Sequence, residues 1–201
     1  PFEFYKLDDL LNPLGLPQDP EKDEWLVWTN FFGLLGRQLK PLGEAWGGRV
    51  FVDNTHAFFD ADEPGLWSFT SARKYFGVPD GAYLYRPNRD YTPPDVERFR
   101  PPSAHHLLAR YTGKSAAAFS LYQQAEAALD CSLQRISVLS ERLLAAVDTV
   151  SVRSARDSNL NILVEELGEY NTFELADSVR GKSAFCYPFL SPKSIPRSNL
   201  Y

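Results

Sequence analysis

Four short apolar runs, each closed by polar or turn-forming residues, set the limits on what this chain can fold into. They are "EWLVWT" (24–29), "RVFVD" (49–53), "GLWSFT" (65–70) and "AYLYR" (82–86). Runs of this length and composition read as strands, and the first reads as a strand buried on both faces. Between the first two lies "GLLGRQLKPLGEAWGG" (33–48), with apolar residues at 34, 35, 39, 42 and 46. That spacing predicts a helix, split or kinked at Pro41 and ended by the glycine pair. Strands joined by a helix or a short connection predict an α/β sheet, mostly parallel, with right-handed crossovers and flanking helices.

The rest of the chain is less regular. "FEFYKL" (2–7) alternates aromatic and polar residues and predicts a further strand, and the segment 11–23, rich in Pro, Gly and Asp, reads as loop. A proline-rich bridge covers 86–106. Apolar residues at 122, 125, 129, 133, 136, 139, 143 and 147 then step by three and four, as on one face of a long helix or of two in succession. Beyond 150 the strand-like "SAFCYPFL" (183–190) accompanies a polar, helix-compatible "NTFELADSV" (171–179). The expected organisation is an α/β portion over 1–100, connecting helices over 101–149, and the beginning of a small C-terminal α/β domain over 150–201.

Composition excludes several classes. An apolar fraction of 44% and a charged fraction of 23% over 201 residues are those of a globular chain. The net charge of −5, with both signs interspersed, gives no nucleic-acid footprint. No apolar run is long enough for a membrane span, so no membrane partner is expected. Cys131 and Cys186 stand far apart without a second pair, which points to a reducing compartment and a cytoplasmic protein. His105 and His106 are adjacent, lack metal-ligand spacing with the cysteines, and read as a helix start, so no metal is expected. The chain has no methionine, and the expectation is a portion of a longer protein.

Ligands of open α/β sheets bind beyond the carboxyl ends of the strands. Three of the expected strands end in polar residues there: Thr29 and Asn30, then Asp53 followed by His56, then Ser71 and Lys74. Such a set suits an aldehyde cofactor. A lysine amine can join the aldehyde, a carboxylate can hold a ring-nitrogen proton, and serine hydroxyls with backbone N–H groups can bind a phosphate. Gly77 and Gly81 are expected to let the chain turn back into the next strand without a Cβ clash.

In this order, "WTNFFG" (28–33), "VFVDNTHAFF" (50–59) and "SARKYFGVPDGAYLY" (71–85) resemble the DegT/DnrJ/EryC1/StrS aminotransferases, a fold-type I family dependent on pyridoxal phosphate. The resemblance covers roughly 1–150. It implies the large domain of that fold, with Lys74 as the cofactor-bound lysine and Asp53 on the pyridine nitrogen. It places His56 beside the cofactor ring and Asn30 in a neighbouring polar position. Phe69 stands where the family has a serine, flanked by Ser68 and Ser71, and these two are the candidate phosphate donors. Arg73 is a candidate for an anionic group of the substrate. The implied activity is amine transfer from an amino acid to a nucleotide-linked keto-sugar, in a homodimer. Two alternatives are an aminotransferase-like protein that binds cofactor or sugar without transaminating, and a plain α/β interaction module.

Overall fold

The computed structural model describes residues 1–18, 20–87, 92, 94–100, 104–129, 132–174 and 179–192. The chain divides into two compact units. One comprises Pro1–Thr70, Leu84–Pro87 and Thr149–Tyr201; the other comprises Ser71–Tyr83 and Asn88–Asp148.

The first unit is built on a sheet. After a small antiparallel pair, β1 (Lys6–Leu7) with β2 (Pro13–Leu14), come β3 (Leu26–Thr29), β4 (Val50–Asp53), β5 (Trp67–Ser71) and β6 (Ala82–Tyr85). The four form one sheet in the order β3-β4-β5-β6. β3, β4 and β5 run parallel, with Thr29 opposite Asp53 and Asp53 opposite Phe69. The expected α/β sheet is therefore present, and mostly parallel.

β3 is not buried on both faces. Leu26 and Trp28 are buried, whereas Val27 is 57% exposed. The period of two along each strand sends Leu26, Trp28, Val50 and Val52 to one side. There they join Leu34, Leu35, Leu39 and Trp46 in a single apolar core. The other face carries Phe51, stacked on Trp67 at 6.2 Å and tilted against Phe69 at 5.6 Å. These rings are half-buried. An aromatic run looks doubly buried in sequence because large rings occur on a half-covered face as readily as in a core.

The helix between β3 and β4 is shorter than its apolar spacing suggests. A 3-10 turn over Gly36–Gln38 leads into α1 (Leu39–Ala45). Pro41 neither splits nor kinks α1: it lies in the first turn, where its missing N–H costs no helical bond. The glycine pair does end the helix. Gly47 and Gly48 take positive φ, and their N–H groups bond back to Glu44 and Gly43. That closes the last turn in the usual left-handed fashion.

The largest departure is α5 (Thr149–Leu167), a helix of 19 residues in a stretch with no helical pattern of apolar residues. Its Leu160 and Val164, one turn apart, join the apolar core, and Val179 and Ala184 follow from the next segment. "SAFCYPFL" forms no strand. Ser183 takes φ 45°, incompatible with an extended run, and its N–H and hydroxyl both donate to Asp157 Oδ1 at 2.7 Å. Residues 171–173 are irregular, and 175–178 of the helix-compatible stretch lie outside the described residues. Likewise "FEFYKL" is a strand only at Lys6–Leu7. Cys186 is half-buried with its thiol pushed up by burial, and Cys131 lies outside the described residues.

The second unit is mainly helical. The 122–147 pattern runs across α3 (Ser115–Ala127) and α4 (Val138–Ala145), preceded by α2 (His105–Tyr111), so two helices rather than one carry it. Leu129 and Leu133 lie between those helices and are exposed. α4 starts at Ser137, whose Oγ accepts the Ser140 N–H. Beneath this cap sits Asp80. Its Oδ2 accepts Ser137 N–H at 2.7 Å, and its Oδ1 accepts the Ser137 and Ser140 hydroxyls at 2.5 Å each. Gly81 is demanded by geometry: at φ 124°, an added Cβ would lie 2.9 Å from Ile136 Cδ1. Gly77 is different, since a Cβ there would meet nothing.

Candidate functional site

Strand periodicity decides where the expected site residues go. Asp53 shares its face with Phe51, Thr29 opposite and Phe69 on β5. It is half-buried, and its Oδ1 accepts the Thr55 N–H at 2.9 Å in a tight turn. Oδ2 has no hydrogen bond among the described residues. The next residue, Asn54, turns to the opposite side and is fully buried.

Asn54 organises that inner edge. Its Oδ1 accepts from Asn30 Nδ2 at 2.8 Å, and its Nδ2 donates to Ala61 O at 3.2 Å and Glu63 Oε1 at 3.1 Å. Its backbone oxygen accepts the Thr70 hydroxyl. Asn30 in turn accepts the Leu35 N–H, and Ser68 donates to Ala61 O at 2.6 Å. Asn30 and Ser68 are thus buried on the inner face with their polar atoms bonded inside the fold. The structure brings these two together with Asn54 and sets Asp53 on the other face.

His56 holds two loops together. Its Nδ1 accepts the Phe32 N–H at 3.3 Å, and its ring stacks on Phe185 at 4.8 Å and 7°. Beside it, Gly33 has φ 79°, and a Cβ there would come within 2.6 Å of His56 O. Only glycine allows the segment after β3 to lie so close to the segment after β4.

These two segments wall a cleft of about 700 Å³ at the carboxyl edge of β3 and β4. Asn30 and Gly33 come from the first segment, and Phe58 to Glu63 from the second. Tyr85 of β6, Arg153 of α5 and Lys182 also line it. Asp53, His56 and Ser68 do not line it. Arg153 is neutralised by Asp60 at 3.0 Å and lies 5.9 Å over the Phe59 ring. Burial pushes the Glu63 carboxyl above its usual range. The Asn54 hydrogen bond opposes that rise, Asp62 and Asp60 add to it, and Lys182 draws the carboxyl back down. A concave site of this volume with converging charges and a perturbed carboxyl has the properties of a small-molecule pocket. Of its residues the sequence marks Asn30 as a candidate; the acids of "FFDADEPG" (58–65), in the segment that follows β4, carry no recognisable motif.

The remaining candidates belong to the second unit. Ser71 ends β5 in extended conformation and precedes a 3-10 turn, Ala72–Lys74, with no side-chain capping bond. Ala72 N–H donates to Gly81 O, closing the turn. Lys74 is exposed at the end of it. Arg73 forms an ion pair with Glu126 and lies 5.9 Å over the Tyr122 ring, so its guanidinium already has an anion and an aromatic face. His106 is 4% exposed, packs edge-on to Tyr122, and has an Nδ1 without a partner. Burial and the nearby Arg110 and Arg73 hold its imidazole below the ordinary histidine range, against Glu126.

Comparison of the chain with known protein families, curated proteins and solved structures finds no match. No group of three or more His, Cys, Asp or Glu side chains suited to a metal occurs among the described residues. None of the described helices is long and apolar enough to cross a membrane.

Proposed function

We propose that this protein is a cytoplasmic, homodimeric aminotransferase dependent on pyridoxal phosphate, moving an amine from an amino-acid donor to a nucleotide-linked keto-sugar. One observation carries the reading. Asp53 stands at the carboxyl edge of three parallel strands with a carboxylate oxygen uncommitted, which suits a ring-nitrogen partner. The sequence order, with Ser71 and Lys74 following the strand after Asp53, supports assigning them to the same group. Asp53 would hold the proton on the ring nitrogen, Ser71 would donate to the phosphate, and Lys74 would join the aldehyde. The bound cofactor supplies an electron sink for the carbon that loses a proton. The Lys74 amine would be the group that takes up that proton and returns it. Asn30, His56 Nδ1 and Ser68 make hydrogen bonds that fix the strand ends on which these groups stand.

A second reading, a protein that binds cofactor or sugar without transaminating, is favoured by those internal bonds and by the Arg73–Glu126 pair. One experiment tests the first reading and separates it from the second. Purified protein is mixed with pyridoxal phosphate, reduced with borohydride, digested and mapped by mass spectrometry. The expected label is on Lys74, absent in Lys74→Ala. Adding glutamate before reduction should abolish the label in a transaminase and leave it in a binder. Labelling elsewhere, or nowhere, ends the first reading.

A further inference from the structure

The charges in the first unit's cleft are unequal in their commitments. Arg153 and Asp60 neutralise one another, so neither needs a ligand. Lys182 is exposed, in no ion pair among the described residues, and acts on Glu63 without closing a bridge to it. Among the described residues Glu63 receives one hydrogen bond, on Oε1 from Asn54, and Asp62 beside it receives none. An ammonium and two carboxylates thus line one cavity without neutralising each other directly. Of the three only Glu63 is partly desolvated, and a guest cation beside it would offset the cost of burying its charge, while the exposed Lys182 and Asp62 offer a complementary pattern at the rim.

The segment bearing Lys182 is held in place. Ser183 keeps a left-handed φ of 45° because Asp157 on α5 binds both its N–H and its hydroxyl. Arg156 Nη2 donates to the carbonyls of Ala184 and Phe185. Asn54, at the end of β4, donates to Glu63 and to the Ala61 carbonyl and so fixes the acid. The cation and the acid are therefore mounted on separate, ordered supports, as a preorganised site requires. Phe58 and Phe59 supply apolar lining between them.

We propose that this cleft binds a small zwitterion, an α-amino acid with an apolar side chain. Its carboxylate meets Lys182, its ammonium meets Glu63 and Asp62, and its side chain lies along Phe58 and Phe59. A volume of about 700 Å³ leaves room for an aromatic side chain. Asp53, the proposed ring-nitrogen partner, does not line the cleft.

The test is a calorimetric titration of the whole protein, without added cofactor, using three matched probes. L-phenylalanine carries both charges, phenethylamine lacks the carboxylate, and 3-phenylpropionate lacks the ammonium. Phenylalanine should bind roughly tenfold or more tightly than either relative, the discrimination of one charged hydrogen bond. Glu63→Gln, which keeps an acceptor for Asn54, and Lys182→Gln should each weaken it by a similar factor. Equal binding of phenethylamine would make this an acidic patch for amines and overturn the proposal. No binding of phenylalanine, or binding indifferent to both variants, would also overturn it. Because no cofactor is present, failure here leaves the Lys74 labelling result standing or falling by itself.

Discussion

The two units of this chain are held together by different physics. The first has a continuous apolar core, from Leu26 and Trp28 through Val50 and Val52 to Leu160 and Val164. In the second, the buried apolar residues are Ala72, Tyr75, Val78 and Ala118 among those described. Its order comes from directed polar contacts: Asp80 under the α4 cap, the Arg73–Glu126 pair, and His106 against Tyr122. A core spreads its stabilisation over area and is insensitive to pH. A polar set concentrates it in a few groups whose loss leaves buried partners unsatisfied.

The contrast can be broken from either side. The largest effect is expected from Trp28→Ala, which removes a fully buried indole from the first unit's core. A cost of about 3–5 kcal/mol is typical of such a deletion. Hydrogen exchange should show lost protection throughout β3 and β4. Preserved protection there would mean that the core is not what orders this unit.

Next is Asp80→Ala in the second unit. It strips the acceptor from two hydroxyls and one N–H, all buried, and should cost about 2–4 kcal/mol. Protection should fall at α4. Asp80→Asn, which keeps the shape and one acceptor oxygen, should fall between the variant and wild type. If the alanine variant were as stable as wild type, the polar account of this unit would be wrong.

The smallest effect is acid sensitivity at His106. Its folded-state pKa is lowered, chiefly by burial, so the unfolded chain takes up the proton first as pH falls. The stability it contributes is present above the unfolded value, about 6.5, and is lost as pH drops from there toward the folded value. The charged groups around it are Arg110 on its own helix, Arg73 and Glu126. His106→Phe, compared with wild type by thermal melting between neutral pH and about pH 5, should flatten part of that decline. Identical pH profiles would remove His106 from the comparison.

The same division explains what the sequence disclosed. β3, β4, β5 and β6 were legible to within two residues because alternating or continuous apolar runs between turn residues have few other uses. α5 was not, because Thr149–Leu167 is rich in Val, Ser and Asn and buries only Leu160 and Val164, so no apolar stripe marks it. Tertiary burial, not propensity, holds that helix. The α3–α4 pattern misled in the other direction, since Leu129 and Leu133 keep helical spacing in a connection that is not helical. At the site, Asp53 could be placed at a strand end from sequence, but its separation from Asn30 and Ser68 depends on register. Lys182 lies 119 positions after Glu63, and no local pattern announces that they line one cleft.

Asp53 and Asn54 are neighbours in the chain and serve opposite surfaces. A strand end can therefore carry two chemistries at once without a shared side chain, a shared solvent or a shared ligand. Because the two side chains leave the strand on opposite faces, the two surfaces can diverge to the extent that the shared backbone is kept. That independence is bought with fragility of a particular kind. A single-residue insertion or deletion within Val50–Asp53 would exchange the two surfaces in one step, sending the acid into the core and the amide out to the rings. Point substitutions can explore this region gradually; length changes cannot.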